Sequence, residues 1–298
     1  MSLLEPYVPE DFDDFWAKAV ADAAREPLEM RRSFRNDYDW PGFQVEKIEF
    51  RASGGRILKG WFAAPAGARR LPAYVWLPPY GRTSMLPNEY GTREGHASLS
   101  FNYFGEDAFH EEAYVQERGY FAEGAGSPET WIFRRMLQDA WLAVRGLQAQ
   151  VEVDEDRIGA MGLSQGGGMS IWLGALCPAV RAVAADMPFL GGMRETLAKS
   201  VYRYPLKELT DFIDRTPLGP ERVMNTISYF DTVNMATRCR VPTQVSLGLR
   251  DPATRPENVQ AVYDALPGHK ALITYDWGHD WHPEMVENNR RWLDQNLA

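Results

Sequence analysis

The chain has 298 residues, 45% of them hydrophobic and 24% charged, with a formal net charge of −9. That length predicts one large domain or two small ones. The negative charge argues against nucleic acid as a partner, because phosphate contacts need clustered Lys and Arg. No apolar run reaches the roughly 18 residues of a membrane-spanning helix, so no membrane association is expected.

The compartment is suggested by two further features of the sequence. The N-terminus lacks the basic and apolar regions of a secretory signal. The two cysteines, Cys177 and Cys239, have no metal-site spacing, so two reduced thiols are expected in preference to a disulfide. Both features favour a cytoplasmic protein.

The first part of the chain predicts a helix followed by strands. Residues 9–25 carry apolar side chains on one helical face, and residues 1–40 are expected to form a helical extension. Alternating apolar residues then predict a hairpin with Ser53-Gly54-Gly55 as its turn. The predicted strands of this part cover residues 44–52, 56–64, 72–77 and 97–102.

An irregular, aromatic-rich segment follows over residues 103–126. A loop of this length is often functional, and an equally good interpretation is that it covers one face of the core. After it, Ser127 predicts an N-cap and Pro128 the first position of a helix with a broad apolar stripe.

Strands and helices alternate in the second half of the chain. Residues 187–238 interrupt this alternation and predict a mainly helical insertion, or lid, after the sixth strand. Thr254 and Glu257 have the spacing of a capping box at the start of a helix. The predicted strands of this half cover residues 158–161, 180–185, 243–249 and 271–275, and a last helix covers residues 283–297.

This alternation predicts an α/β fold in which a mostly parallel sheet is covered by helices on both faces. The N-terminal hairpin adds antiparallel strands at one edge. Such a layout is that of an α/β-hydrolase, and residues 1–298 are expected to form a single domain of this fold.

The segment Gly162-Leu163-Ser164-Gln165-Gly166 has the G-x-S-x-G pattern of a nucleophile elbow. A sharp turn from strand to helix strains the serine and brings the backbone close to itself, which favours glycine on either side. Because glycine is common, the pattern alone is weakly specific. The predicted strand before it and helix after it favour Ser164 as a nucleophile.

A serine nucleophile needs a base, and in this fold the chain order is Ser, then Asp or Glu, then His. The chain has five histidines, of which His279 and His282 follow the last predicted strand. His282 directly precedes Pro283 at a helix start, where the helix dipole disfavours a protonated imidazole. His279 is therefore the favoured base.

Two aspartates compete for the third position of the triad. Asp186 and Asp251 each follow a predicted strand after the serine, so both satisfy the chain order. Asp251 is favoured because it lies one strand closer to His279 in sequence.

Two backbone N–H groups are candidates to bind the oxyanion. Gln165 stands at the start of the helix after the serine. The second donor is expected in the loop after residues 72–77, where Pro78 and Pro79 have no N–H and Tyr80 is the first residue that can donate.

The motifs around these candidates resemble those of the acetyl xylan esterase and cephalosporin C deacetylase family. The elbow is similar to the G-x-S-Q-G-G of that family, and Tyr80 falls where the family has its oxyanion tyrosine. Asp251 matches the triad aspartate of S-x-G-L-x-D, and His279 matches the base of G-H-E. The likeness covers most of the chain, including the family-like segments at residues 139–145, 153–159 and 186–190.

Two departures from the family pattern stand out. The family usually carries R-G-Q after the predicted fourth strand, and its arginine and glutamine are thought to brace the site. Residues 102–106 read Asn-Tyr-Phe-Gly-Glu here, so only the glycine remains. Asp280 replaces the glutamate of G-H-E. Both departures bear on the natural substrate more than on the triad.

The resemblance implies a serine carboxylesterase that removes acetyl or other short acyl groups, from acetylated sugars, xylo-oligosaccharides or cephalosporin C among others. It further implies a small-molecule ester substrate, a cytoplasmic homo-oligomer and no metal or organic cofactor. A serine peptidase or lactone hydrolase on the same fold is one alternative. A non-catalytic binding protein on a hydrolase scaffold is another.

Overall fold

The computed structural model describes residues 7–34, 40–81, 86–110, 119–199, 201 and 203–298. Nine strands in this part of the chain belong to one sheet. They are β1 (Met30–Phe34), β2 (Phe43–Arg51), β3 (Ile57–Pro65), β4 (Leu71–Leu77), β5 (Ala97–Phe101), β6 (Val153–Leu163), β7 (Val180–Asp186), β8 (Thr243–Gly248) and β9 (Lys270–Tyr275).

The sheet has the strand order β1-β2-β3-β5-β4-β6-β7-β8-β9. The strands β1, β2, β3 and β5 pair antiparallel, and every pair from β5 through β4 to β9 is parallel. The carboxyl ends of the parallel strands therefore meet at one edge, where ligands bind in open α/β sheets. The predicted mostly parallel α/β-hydrolase sheet with an antiparallel edge is confirmed.

Helices connect the parallel strands, and a 3₁₀ turn at Ser53–Gly55 joins the hairpin strands. The helices of the described residues are α1 (Phe12–Arg25), α2 (Ile132–Gln148), α3 (Gln165–Leu176), α4 (Met193–Leu197), α5 (Leu206–Arg215), α6 (Pro220–Ser228), α7 (Thr232–Ala236), α8 (Pro256–Ala265) and α9 (Glu284–Asn296). None of these helices is both long and apolar enough to cross a membrane.

Alternate residues of the central strands enter two apolar layers on opposite faces of the sheet. In β4, Ala73 and Val75 belong to the same buried apolar cluster as residues of α1, α2, α3 and α8, whereas Tyr74 and Trp76 belong to a second cluster that includes residues of α9. This is the period-two alternation of a strand that is buried on both faces. Both faces are thus covered, as the sequence predicts.

The strand β1 is absent from the sequence-based prediction, which assigns residues 1–40 to a helical extension. That assignment is wrong at Met30–Phe34, which pairs antiparallel with β2. The cause is tertiary, because Arg32 of β1 binds Glu46 at 2.6 Å and Glu152 at 2.9 Å. With β1 counted, the helical segment of residues 187–238 follows the seventh strand of the chain instead of the sixth.

Two predicted helix starts are also wrong. The helix predicted from Ser127 begins at Ile132, because residues 127–130 form turns in which Thr130 Oγ1 donates to Gly124 O at 2.8 Å. The helix predicted from Thr254 begins at Pro256, with no side-chain cap. Its threonine hydroxyl instead donates to the carboxylate of Asp251 at 2.6 Å.

Candidate active site

The turn between β6 and α3 holds Ser164 in a strained conformation. Its φ is 59° and its ψ is −116°. Residues other than glycine rarely adopt a positive φ. The serine directly precedes the first residue of α3 and is 7% exposed. Its hydroxyl therefore stands at the carboxyl edge of the sheet and at a helix N-terminus.

Close backbone approach explains the glycines of this turn. A Cβ on Gly162 would lie 2.6 Å from the carbonyl carbon of Gly166, and a Cβ on Gly166 would lie 2.1 Å from Leu77 O. Real Cβ atoms do not approach other heavy atoms so closely. The elbow is thus packed directly against the end of β4, which leads into the loop of Tyr80.

The imidazole of His279 joins Ser164 to Asp251. His279 Nε2 lies 2.9 Å from Ser164 Oγ, and His279 Nδ1 lies 2.6 Å from Asp251 Oδ2. His279 follows β9 and Asp251 follows β8, so the carboxyl ends of neighbouring parallel strands bring together residues 115 and 28 positions apart. A nucleophile, a base and an orienting acid in this geometry fit acyl transfer.

The carboxylate of Asp251 is buried but well supplied with donors. Its Oδ1 accepts the N–H groups of Ala253 at 2.8 Å and Thr254 at 2.9 Å, and its Oδ2 also accepts Thr254 Oγ1. Burial opposes ionisation, but the bonds from His279 and Thr254 outweigh it and hold the pKa of Asp251 below its ordinary value. The acid is therefore an anion that can stabilise an imidazolium.

Asp186, the competing acid, has other partners. Its carboxylate accepts the hydroxyls of Tyr90 at 2.7 Å and Ser246 at 2.6 Å and the side-chain amide of Asn289 at 2.7 Å. Burial raises the pKa of Asp186, although these three donors partly oppose the shift. No imidazole is among its bonds, so Asp186 lies outside the Ser–His–Asp chain.

The competing histidine is likewise engaged elsewhere. The ring of His282 stacks on Tyr275 with centroids 4.6 Å apart, and its Nδ1 accepts the N–H of Glu284 at 3.3 Å. Neither contact involves the serine. Of the two histidines after β9, His279 is the one that reaches the nucleophile.

The two candidate oxyanion donors lie on adjoining segments. Gln165 is the first residue of α3, and Tyr80 follows β4 in the loop against which the elbow packs. The hydroxyl of Tyr120 contacts both segments, donating to Gln165 Oε1 at 3.0 Å and accepting the N–H of Gly81 at 3.1 Å. The hydroxyl of Tyr80 itself donates to Glu208 at 2.5 Å.

Two cavities flank the triad. One of about 430 Å³ lies beside Asp251 and is lined by the segment after it and by residues of the helical segment 187–238. The other, of about 250 Å³, lies between Leu163 and Asp280, the neighbours of the nucleophile and the base. Its walls are aromatic, with Trp76, Tyr90 and Trp281 among the lining residues.

No part of the described chain brings three or more His, Cys, Asp or Glu side chains close enough to share a metal ion.

Comparison with known proteins identifies the family. The sequence profile of the acetyl xylan esterase family matches residues 4–295. The chain belongs to this family. It is a carboxylic ester hydrolase on the α/β-hydrolase fold, so the peptidase, lactone hydrolase and non-catalytic alternatives are not favoured.

Individual relatives of this esterase cover nearly all of it. It is 25% identical to the acetyl esterase Axe7A of Xylanibacter ruminicola, over 99% of this chain and 69% of that protein. An acetyl xylan esterase from Paenibacillus sp. R4 has 26% identity and a TM-score of 0.89, over 98% and 96% of the two chains. Acetyl xylan esterase 1 from Thermoanaerobacterium sp. shares the fold at 23% identity and a TM-score of 0.86, over 99% and 96%.

Three residues near the site of this esterase escaped the sequence analysis. Thr254 was assigned to a helix cap, although its place three residues after Asp251 is a signal for a carboxylate partner. Tyr120 lies in the aromatic-rich segment, and Glu208 lies in the helical segment 187–238. These two join elements 45 and 128 residues apart, which no local pattern reveals.

Proposed function

We propose that the esterase removes acetyl groups through an acyl-enzyme formed on Ser164. The hydroxyl oxygen attacks the acyl carbon while His279 Nε2 takes its proton, and the imidazolium then delivers that proton to the leaving alcohol. A water molecule then attacks the acyl carbon of the acyl-enzyme while His279 again takes the proton, and acetate and the free serine are released. Asp251 orients the imidazole and stabilises its charge. The observation that carries this proposal is the position of His279 between the two residues, at 2.9 Å and 2.6 Å.

The backbone N–H groups of Gln165 and Tyr80 are proposed to bind the oxyanion. Gln165 is the first residue of a helix, where N–H groups have no intrahelical partner and the helix dipole favours negative charge. Tyr80 lies on the segment packed against the elbow. Two fixed donors of this kind stabilise the charge that develops on the carbonyl oxygen.

The proposed substrates are acetylated carbohydrates, with acetylated xylo-oligosaccharides first among them. Related proteins bear the name acetyl xylan esterase, which supports this choice. The 250 Å³ cavity lined by Leu163, the residue before Ser164, supports it independently, because aromatic walls suit the apolar faces of sugar rings. Trp76 and Trp281 supply two of these aromatic walls.

The test is hydrolysis of p-nitrophenyl acetate, longer acyl esters, acetylated xylo-oligosaccharides and cephalosporin C by the wild type and by Ser164→Ala. Activity should favour acetyl esters and should vanish in the variant, while circular dichroism remains unchanged. Ser228→Ala removes another buried hydroxyl, which donates to Met224 O within α6, and is the matched control. Turnover that survives Ser164→Ala would contradict the proposal.

Three broader features are also proposed. The chain forms a single domain in which residues 187–238 shape the substrate entrance, since residues of this segment line the 430 Å³ cavity together with Asp251. It works as a homo-oligomer, which light scattering tests. It is cytoplasmic, a choice supported by two buried cysteines that are both free, and fractionation of the source cells tests it.

A further inference from the structure

One side chain bridges the two segments that carry the proposed oxyanion donors. The hydroxyl of Tyr120 accepts the N–H of Gly81 at 3.1 Å and donates to Gln165 Oε1 at 3.0 Å. Gly81 directly follows Tyr80, and Gln165 directly follows Ser164. A phenol has one proton to donate and lone pairs to accept with, so both bonds can exist together.

The ring of Tyr120 is fixed between two aromatic neighbours. Its centroid lies 4.9 Å from that of Tyr80 and 4.8 Å from that of Phe104. The residue is 8% exposed. Such contacts restrict the ring, so the hydroxyl is held at its two partners and loses little entropy in binding them.

The main chain on both sides of Tyr120 is fixed as well. The buried carboxylate of Glu208 accepts the N–H of Gly119 at 3.0 Å and the N–H of Phe121 at 2.8 Å. The same carboxylate accepts the hydroxyl of Tyr80 at 2.5 Å. The carboxylate of Glu208, a residue of α5, therefore binds both the segment of Tyr120 and the loop of Tyr80.

The segment that departs from R-G-Q contributes to this arrangement. Asn102 Nδ2 donates to the carbonyls of Glu106 at 3.1 Å and Asp107 at 2.9 Å, which closes the segment into a compact turn. Phe104, from within that turn, supplies one of the two rings that pack on Tyr120. The residues that stand in place of R-G-Q thus support the bridge from one side.

We propose that Tyr120 is a positioning residue of the oxyanion hole. Its hydroxyl sets the separation between the peptide after Tyr80 and the side chain of Gln165. Oxyanion donors contribute to catalysis only when they are fixed before the charge develops. This inference rests on the proposed function of Tyr80 and Gln165 as donors.

The first test is Tyr120→Phe, which removes the hydroxyl and keeps the ring. We expect kcat for p-nitrophenyl acetate to fall about tenfold while KM changes less than about twofold, because the lost contact matters in the transition state. Tyr74→Phe is the matched control, since it removes a fully buried hydroxyl that donates to Gly91 O at 3.0 Å, in the apolar layer on the other face of the sheet. Thermal unfolding of both variants separates a loss of stability from a loss of positioning.

A second readout does not depend on turnover. A small alkyl boronic acid forms a tetrahedral adduct with an active-site serine, and its oxygen occupies the oxyanion hole. Binding of the boronic acid, measured by calorimetry, should weaken about tenfold in Tyr120→Phe and stay unchanged in Tyr74→Phe. Ser164→Ala should abolish this binding if the proposed nucleophile is correct.

The outcomes separate the two proposals. Loss of boronate binding in Ser164→Ala with unchanged binding and kcat in Tyr120→Phe would overturn the role of Tyr120 alone. A rise in KM without a fall in kcat, or an equal loss in Tyr74→Phe, would also overturn it. Boronate binding and turnover that persist in Ser164→Ala would instead overturn the proposed function.

Discussion

The backbone carbonyl of Asp186 accepts the N–H of Ser164 at 2.8 Å. Asp186 therefore holds the proposed nucleophile through its main chain, although its carboxylate makes no bond to His279. That carboxylate in turn ties the end of β7 to Tyr90, to Ser246 of β8 and to Asn289 of α9. Asp186 and Asp251, which chain order alone cannot separate, therefore make different contacts. The backbone of Asp186 binds the elbow, and the carboxylate of Asp251 binds the imidazole of His279.

The two aspartates should respond differently to the same substitution. Asp251→Asn should lower kcat by roughly 10⁴-fold, because the amide no longer fixes the tautomer or stabilises the imidazolium. Asp186→Asn should keep kcat within about tenfold, since the carbonyl that holds Ser164 remains. It should lower the free energy of unfolding by about 1–3 kcal/mol, because an amide cannot accept all three donors. Steady-state kinetics and urea unfolding of both variants measure these effects, and the reverse pattern would make Asp186 the triad acid.

The chain order of the triad was accessible to sequence analysis because each candidate directly follows a strand with a clear apolar pattern. Parallel strands place their carboxyl ends at one edge, so order along the chain translates into proximity. The same reasoning left Asp186 and Asp251 as rivals, since both follow strands of this sheet. Nearness to His279 in sequence favoured Asp251, and the bonds of the two carboxylates agree with that choice.

Local patterns failed where a distant contact decides the structure. Strand β1 forms because Arg32 binds Glu46 and Glu152, which are 14 and 120 residues away. Thr254 has the spacing of a helix cap, but its hydroxyl donates a hydrogen bond to the carboxylate of Asp251 instead. The partners of Arg32 are distant in sequence, whereas Thr254 has a choice between two local hydrogen bonds, one to the helix start and one to a carboxylate three residues before it.

Replacement of Gly166 by alanine should prevent the elbow from forming. The new Cβ would lie 2.1 Å from Leu77 O. This oxygen belongs to the backbone at the end of β4 and cannot move aside as a flexible side chain could. We expect the free energy of unfolding to fall by about 3 kcal/mol or more, measured with urea. Gly278→Ala is the control, because the nearest heavy atom to its Cβ would be 4.0 Å away and its unfolding should be nearly unchanged. Equal stability of the two variants would contradict this account.

The aromatic cavity predicts that Trp281 discriminates between substrates. Trp281→Phe reduces the aromatic surface of this cavity but keeps one ring in its wall. KM for an acetylated xylo-oligosaccharide should rise about threefold to tenfold, because less apolar surface packs on the sugar ring. The kinetics of p-nitrophenyl acetate, which carries no sugar, should stay within twofold. A parallel loss on both substrates would show that Trp281 supports the fold instead of the sugar.

The buried carboxylate of Asp231 should make folding stability depend on pH. Burial raises its pKa to about 6, against partial opposition from the N–H groups of Met193, Val233 and Gly192. The folded state therefore binds this proton more tightly than the unfolded chain, whose aspartate has a pKa of about 3.9. Asp231 stabilises the fold fully below that unfolded value, and this contribution is lost as pH rises through about 6.

The variant Asp231→Asn isolates this effect, because its amide is uncharged at every pH. Over the range from about pH 4.5 to 8, the stability of the wild type relative to the variant should be greatest at the acidic end and should decrease by about 2 kcal/mol toward pH 8. Urea unfolding at fixed protein concentration over this range measures the difference. Asp264→Asn, which replaces an exposed carboxylate of α8 that accepts Gln260 Nε2, is the control and should give a difference without this trend. A constant or rising advantage of the wild type with pH would mean that the three N–H groups outweigh burial, and that Asp231 is already an anion in the acidic range.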